Sequence, residues 1–423
     1  MTTHNPDLTL SLTDRLNELN QFKIDLGLDR LKTVLHRLKL HDLKQQIILV
    51  GGTNGKGSTV AALCSMLEVK SKQYGAFTSP HLFKFNERIQ VNGIHACDDA
   101  IMSAFADIDE AKQAINLSYF EYAFLAAMLI FKQHDVDVIV LEVGLGGRLD
   151  ATNVMDADVS IITTVDIDHT EWLGHDIESI AYEKAGIMRA LQPVIFGDFH
   201  APQSIIDYAQ TVGAKLIQLK HDFKISFDQS VFTYQYLSHE FVGLNRPVMK
   251  GDWQLKNVSS ALTAMIEVGY QFTDAEIQQS IDNWQLEGRL QTLRTHPMVL
   301  ADVAHNKQSI SQLVNWLLAN PIDGKTRAVF SVLNDKQLDS WLGLLHEVVD
   351  HWFVFQLKSE RGMAINQLKL TLADHVSLFS AFATGVDAYN AALISSRPED
   401  RVIIFGSFHV LEEVLEHSSI NKI

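Results

Sequence analysis

Gly51-Gly52-Thr53-Asn54-Gly55-Lys56-Gly57-Ser58-Thr59 is the stretch on which the reading of the chain turns. Ahead of it stands Gln46-Ile47-Ile48-Leu49-Val50, short and apolar, with the character of a strand. Behind it stands Val60-Ala61-Ala62-Leu63-Cys64-Ser65-Met66-Leu67-Glu68, with the composition of a helix. Strand, glycine-rich turn, helix is the setting of a phosphate-binding loop. The glycines let backbone N–H groups turn toward one point, the helix N-terminus adds partial positive charge there, and Lys56 adds a full one. Ser58 or Thr59 can offer a hydroxyl to a Mg2+ ion that bridges phosphates. The common pattern runs Gly-Lys directly into Ser/Thr, and here Gly57 intervenes. The competing reading is a glycine turn without a ligand.

Composition bounds the rest. At 423 residues the chain is too long for one core, so two or three domains are expected. With 47% hydrophobic and 20% charged residues it reads as an ordinary globular protein. A net charge of −16 argues against nucleic acid as a partner, since phosphate backbones need a basic face. Small anions held by local Lys, Arg and metal stay compatible with it. Cys64 and Cys97 are the only cysteines, which fits a reducing cytoplasm and implies no disulfide framework. Met1-Thr2-Thr3-His4-Asn5-Pro6-Asp7 lacks a basic start followed by an apolar run, so no signal peptide is expected. No apolar stretch approaches the length of a membrane span, so no membrane partner is expected either.

Outward from the loop, residues 12–44 read as mostly helical, with a turn at Ile24-Asp25-Leu26-Gly27-Leu28-Asp29-Arg30. Ala76-Phe77-Thr78-Ser79-Pro80-His81-Leu82 reads as a strand running into a Ser-Pro turn, which sets Ser79 and His81 at a strand's carboxyl end. In an open α/β sheet that is where ligands collect. Residues 98–133 read as helical, with Phe120 and Glu121 opening an apolar helix. Val138 to Leu141 is a continuous apolar run, as in a strand buried on both faces, and Glu142 ends it before a glycine-rich turn. Glu142 suits a metal ligand or a water-positioning base, and equally a strand-end residue facing solvent. A further strand over 159–165 ends in Asp166-Ile167-Asp168-His169-Thr170. Mg2+ prefers oxygen, so His169 as a ligand suggests a second site or a more tolerant metal. Lys184, in a helix over 177–188, reads by its context alone as a surface lysine.

Residues 200–250 alternate in places and read as an insertion. A helix over 258–268 and another over 274–284 follow, then the polar joint Leu286-Glu287-Gly288-Arg289-Leu290-Gln291. Beyond it the strand–helix rhythm restarts, with strands over 298–302, 327–333, 352–356 and 402–405. Asp302 and His305, and later Ser407 and His409, again follow strand ends. The expected fold is α/β: a P-loop domain with a mostly parallel sheet over 1–287, a linker over 288–295, and a smaller Rossmann-like domain over 296–423.

Together these motifs resemble the folylpolyglutamate synthase / dihydrofolate synthase family within the Mur ligase superfamily. The resemblance rests on Gly-Thr-Asn-Gly-Lys-Gly-Ser at 52–58, Thr-Ser-Pro-His-Leu at 78–82 and Leu-Glu-Val-Gly-Leu-Gly-Gly-Arg-Leu-Asp-Ala-Thr at 141–152. It continues through Asp-His-Thr-Glu-Trp-Leu-Gly at 168–174, Glu-Lys-Ala-Gly-Ile at 183–187, Gly-Arg-Leu-Gln at 288–291, Asp-Val-Ala-His-Asn at 302–306 and Gly-Ser-Phe-His at 406–409. Gly57, a departure from the common P-loop, is what this superfamily uses.

The resemblance implies an ATP-dependent amide ligase. It would join L-glutamate to 7,8-dihydropteroate and add γ-linked glutamates to reduced folates through an acyl phosphate. It implies that Thr53, Asn54, Gly55, Lys56, Gly57, Ser58 and Thr59 hold ATP with Asn257, Arg289, Asp302 and His305. Ser58, Ser79, Glu142, His169 and Lys184 would serve two Mg2+ ions, with Lys184 carbamylated, and a monovalent cation counts among the cofactors. Lys56, His169, Lys184 and Arg289 would be catalytic. Asp25, Leu26, Gly27, Leu28, His81, Phe120, Glu121, Leu149, Asp150 and Ala151 would form the substrate surface. A cytoplasmic monomer is expected. The alternatives are a folylpolyglutamate synthase without the first activity, a muramyl-peptide ligase, and, in a different class, a non-enzymatic nucleotide switch that would leave Glu142, His169 and Lys184 without roles.

Overall fold

A computed structural model describes residues 11–19, 27–359 and 361–416. The chain divides into two compact units. The first runs to Val165 and resumes at Thr170–Arg246 and Lys256–Trp284. The second comprises Asp166–His169, Pro247–Leu255 and the chain from Gln285 onward.

The first unit opens with helices α1 (Leu12–Leu19) and α2 (Asp29–Arg37). Strand β1 (Gln46–Gly51), helix α3 (Lys56–Val69) and strand β2 (Tyr74–Phe77) follow, and the short strands β3 (Ile89–Val91) and β4 (Ile94–His95) form an antiparallel edge. The stretch 98–133 holds two helices, α4 (Asp98–Lys112) and α5 (Tyr119–Gln133), the second opening one residue ahead of Phe120. The break is chemical: Ser118 accepts the N–H of Glu121, while the Glu121 carboxylate takes the Ser118 N–H, a capping box that starts α5 afresh. Then come β5 (Val138–Glu142), β6 (Val159–Ile162), α6 (Thr170–Leu173), α7 (Ile177–Ala185), β7 (Pro193–Phe196), α8 (Gln203–Val212) and β8 (Lys215–Gln218).

The main sheet has the order β4-β3-β2-β5-β1-β6-β7-β8, in which β2, β5, β1, β6, β7 and β8 run parallel. Its central strands are buried on both faces, which is why they read as unbroken apolar runs. Residues 203–218, expected within an insertion, belong to this sheet and its helical cover. The separate feature is smaller: the antiparallel sheet β9 (Phe223–Phe227), β10 (Val231–Tyr236) and β11 (His239–Asn245). Helix α9 (Trp253–Glu267) begins five residues before the expected start, and α10 (Asp274–Asn283) closes the unit.

The second unit carries β12 (Gln291–Thr295), β13 (Met298–Ala301), α11 (Lys307–Ala319), β14 (Thr326–Phe330) and β15 (His351–Phe355). These are followed by α12 (Ile365–His375), β16 (Phe379–Phe382), α13 (Gly385–Ile394), β17 (Arg401–Phe405) and α14 (Phe408–Leu415). The sheet order is β12-β13-β17-β14-β15-β16, parallel except for the β12–β13 hairpin. Strands β12 and β16 were not legible beforehand. Each is half exposed and too mixed to show a buried run. The expected architecture, mostly parallel α/β in both units, is the one observed.

Candidate active site

In the first unit the chemistry gathers at the carboxyl edge of the central strands. Register decides this: Val50 pairs with Glu142 and Gly51 with Ile162, so the loop after β1 lies between the ends of β5 and β6. Gly52 has φ +138°, and a Cβ there would sit 2.0 Å from Thr163 Oγ1. Gly55, at φ +90°, begins α3, and a Cβ on it would lie 2.5 Å from Asn257 Oδ1. Two glycines are therefore required by close approach, and Asn257 is thereby set against the loop. The end of β6 ties the loop down. Thr53 N–H donates to the Thr164 carbonyl at 2.8 Å, Asn54 N–H to Thr164 Oγ1 at 3.0 Å, and Thr163 Oγ1 to the Asn54 carbonyl at 2.6 Å. The expected strand over 159–165 includes Thr163 and Thr164. The strand ends at Ile162 because these two serve the loop.

Lys56 Nζ donates to the carbonyls of Gly52 at 3.1 Å and Thr53 at 3.3 Å, which holds its ammonium over the loop at the start of α3. Thr59 donates its hydroxyl to the Gly55 carbonyl at 3.0 Å, which makes Ser58 the better hydroxyl for a metal. Trp284 Nε1–H donates to the Ser58 carbonyl at 3.0 Å and fixes this first turn from the end of α10.

Glu142 is only 4% exposed, so the solvent-facing alternative falls away. Its Oε2 accepts the N–H of Ser79 at 3.1 Å, which joins the ends of β2 and β5. The next turn is anchored by Glu87, whose carboxylate accepts the N–H groups of Leu82, Phe83 and Lys84. Arg88 is buried beside it and donates Nε–H to His81 Nδ1 at 2.8 Å. Burial lowers the Arg88 pKa, against the opposing pull of Tyr119, Glu142 and Glu87. Lys184, at the end of α7, is 3% exposed and not a surface residue. Its neighbourhood is sewn to the turn after β5: Arg148 N–H donates to the Glu183 carbonyl at 2.7 Å, and Asn153 Nδ2 to that of Gly186 at 3.0 Å.

A second group forms around α5. Glu121 is buried and pairs with Arg30 of α2 at 3.1 Å. Phe120 lies against Phe77 with ring centroids 5.5 Å apart. Asp150 closes the 145–152 turn, accepting from Leu145 N–H, Thr152 N–H and Thr152 Oγ1. Burial raises its pKa, and those hydrogen bonds oppose the rise. Leu28 stands at the start of α2, one residue after Gly27. Asp25 and Leu26 lie outside the described residues.

The second unit assembles Arg289, Asp302 and His305. Asp302 accepts the N–H groups of Leu290 and Ala304, both at 2.8 Å. Burial raises its pKa, while Arg289 draws it back down. The Arg289 guanidinium stands 5.3 Å from the Phe408 ring centroid, and His305 Nδ1 lies 2.8 Å from the Val303 carbonyl. His169 has φ +52°, and its N–H donates to Asp168 Oδ1 at 2.9 Å. The Asp168 carboxylate also takes Lys336 Nζ at 2.8 Å and Asn306 Nδ2 at 3.0 Å. Burial pushes this carboxyl up, but His305, Lys336 and His169 together hold it well below the usual carboxylate range.

Sequence reasoning missed Thr163, Thr164, Arg88, Trp284 and Lys336. Polar residues at or just beyond strand ends are the signal that would have found the two threonines. Among the described residues no group of three or more His, Cys, Asp or Glu side chains could hold a metal ion by itself.

The chain matches known proteins along its length. The Mur ligase middle domain matches residues 50–265, and the Mur ligase glutamate ligase domain matches residues 288–408. The dihydrofolate synthase/folylpolyglutamate synthase of Escherichia coli (strain K12) is 37% identical over 95% of this chain and 93% of its own. The structure of E. coli FolC in complex with DHPP and ADP matches with a TM-score of 0.94 at 36% identity, covering 99% of this chain and 100% of that one. A bifunctional folylpolyglutamate synthase/dihydrofolate synthase with Mn, AMPPNP and L-glutamate bound matches with a TM-score of 0.90 at 37% identity, over 96% and 98%. A P-loop anchored by the neighbouring strand, a buried strand-end carboxylate and similarity along the whole chain lead to one assignment: the chain belongs to the dihydrofolate synthase/folylpolyglutamate synthase family of Mur ligases.

Proposed function

We propose that this protein is an ATP-dependent ligase that joins L-glutamate to 7,8-dihydropteroate and then adds γ-linked glutamates to reduced folates. The observation that carries the reading is the β1–β5 register, which sets a buried Glu142 beside the phosphate loop. Whole-length similarity to bifunctional relatives supports both activities in one chain.

The reaction has two displacements. A carboxylate oxygen of the acceptor attacks the γ-phosphorus of ATP, the bond to ADP breaks, and an acyl phosphate forms. The glutamate amine then attacks the acyl carbon, the bond to phosphate breaks, and the nitrogen loses a proton as the amide forms. Lys56, Ser58 and the N–H groups at the start of α3 hold the triphosphate. Asn257, Arg289, Asp302 and His305 hold the remainder of the nucleotide. Phe120, Glu121 and the turn at Leu149, Asp150 and Ala151 receive the acceptor, with Gly27 and Leu28 of the preceding segment. Hydroxyl and carboxylate oxygens of Ser58 and Glu142 suit a hard divalent ion, and Ser79, His169 and a carbamylated Lys184 complete the set for two Mg2+. Bound metal neutralises charge on the transferring phosphoryl group. The protein acts in the cytoplasm as a monomer. Two free cysteines support that location, and no helix among the described residues is long and apolar enough to cross a membrane.

The test is phosphate release from ATP and glutamate with one acceptor at a time: dihydropteroate, a reduced folate monoglutamate, or a UDP-muramyl substrate. Release with the first two, and amide products confirmed by mass, is expected. Release with the folate alone demotes the protein to a polyglutamylase. Release with only the muramyl substrate, or with none, overturns the reading.

A further inference from the structure

The turn between β2 and β3 contains a cation that the reaction scheme above leaves without a task. Arg88 ends a short 3-10 turn, Phe85–Arg88, and is 8% exposed. Its guanidinium lies 5.3 Å from the Tyr119 ring centroid and 5.8 Å from that of Phe85. Its carbonyl accepts the N–H of Thr78 at 3.0 Å, so its backbone is tied to the residue that follows β2. Burying a guanidinium costs free energy unless its donors find partners. What the side chain does is donate Nε–H to Nδ1 of His81 at 2.8 Å. A guanidinium has no lone pair to offer, so Nδ1 is the acceptor and the ring proton lies on Nε2.

We propose that Arg88 is a positioning residue that fixes His81 as the Nε2–H tautomer, making it a hydrogen-bond donor to an anionic oxygen of the substrates rather than a base or a metal ligand. This rests on the reading of His81 as a substrate-site residue and states what that residue recognises: a carboxylate or phosphoryl oxygen. The neighbouring positive charge strengthens the Nε2–H as a donor, and the anchored turn holds it in place.

The test uses the full-length enzyme labelled with 15N-histidine, with His81 assigned as the signal pair missing from H81Q. Nδ1 should resonate as an unprotonated and Nε2 as a protonated ring nitrogen; the reverse overturns the proposal. In kinetics, H81A should lower kcat/KM about 100-fold. H81Q, whose amide nitrogen reaches the position of Nε2, should recover most of it. R88M should cost about 10-fold with His81 present but less than about twofold in the H81Q background, and R88K should restore part of the loss. Equal R88M losses in both backgrounds make Arg88 a structural residue and overturn the proposal. If the tautomer is as expected but H81A keeps full activity, the placing of His81 in the substrate site fails, and the donor role fails with it. A loss in acceptor KM identifies the carboxylate as the anion, and a loss in ATP KM identifies the phosphoryl group; either supports the donor.

Discussion

Gly52 and Lys56 show how much of the loop is steric and how much electrostatic. An alanine at Gly52 must hold φ +138° and place its Cβ 2.0 Å from Thr163 Oγ1, so the loop must move. Gly52→Ala is expected to lose ATP turnover and about 1–3 kcal/mol of stability, read by initial rates and denaturant unfolding. Lys56→Ala keeps the backbone and removes the charge. Its kcat should fall about 10²–10³-fold with little change in melting temperature. Lys184 separates chemistry from packing in another way. If it acts as a carbamate, wild-type enzyme stripped of CO2 and bicarbonate loses activity and regains it on their return, whereas Lys184→Ala stays inactive under both conditions. Full activity in the stripped wild-type enzyme would refute the carbamate.

Elements inherit their positions from such residues. The N-terminal end of β17 is held by Asp400, which accepts from Arg327 of β14 at 2.7 Å and from the N–H groups of Lys325 and Arg397. Burial pushes the Asp400 carboxyl up, but those hydrogen bonds and the guanidinium outweigh it and hold the pKa below its ordinary value. Asp400→Asn leaves Arg327 buried without its counter-charge and should destabilise the second unit by about 3 kcal/mol. A depressed folded pKa means the carboxylate's contribution is complete above its unfolded value of about 3.9 and fades as pH falls through the folded one. The stability gap between wild type and Asp400→Asn should therefore be flat above about pH 5 and close below about pH 4. A gap that persists at low pH would show that packing, not charge, holds this end of the sheet.

At the scale of the whole molecule, a chain of net charge −16 has to gather ATP, a carboxylate and glutamate, all anions. Among the described residues no three His, Cys, Asp or Glu side chains gather into a metal cluster, and a hard divalent ion takes phosphate oxygens readily, so the substrate's own phosphates are expected to supply ligands. Divalent metal should consequently bind weakly to the enzyme alone and at least about tenfold more tightly with a non-hydrolysable ATP analogue. Titration calorimetry with Mn2+ reads both, and equal affinities would point to a preformed protein site. Chelation should abolish phosphate release, and Mg2+ should restore it.

By itself the sequence determined the P-loop, the apolar central strands, the strand-end positions of Glu142 and Asp302, and the family, because each is written in consecutive residues whose spacing states its chemistry. It could not determine what depends on pairing between distant segments. The burial of Glu142 and Lys184 is a matter of which elements cover them. The roles of Thr163 and Thr164 follow from β6 lying beside β1, and Arg88 acquires meaning only when the turn after β2 folds its side chain onto His81. The helix opening at Phe120 and Glu121 was legible because it is local, and the Ser118–Glu121 capping box fixes its first turn. The identity of β12 and β16 was not legible, because a half-exposed edge strand has no apolar pattern of its own and is defined by the neighbour it bonds to.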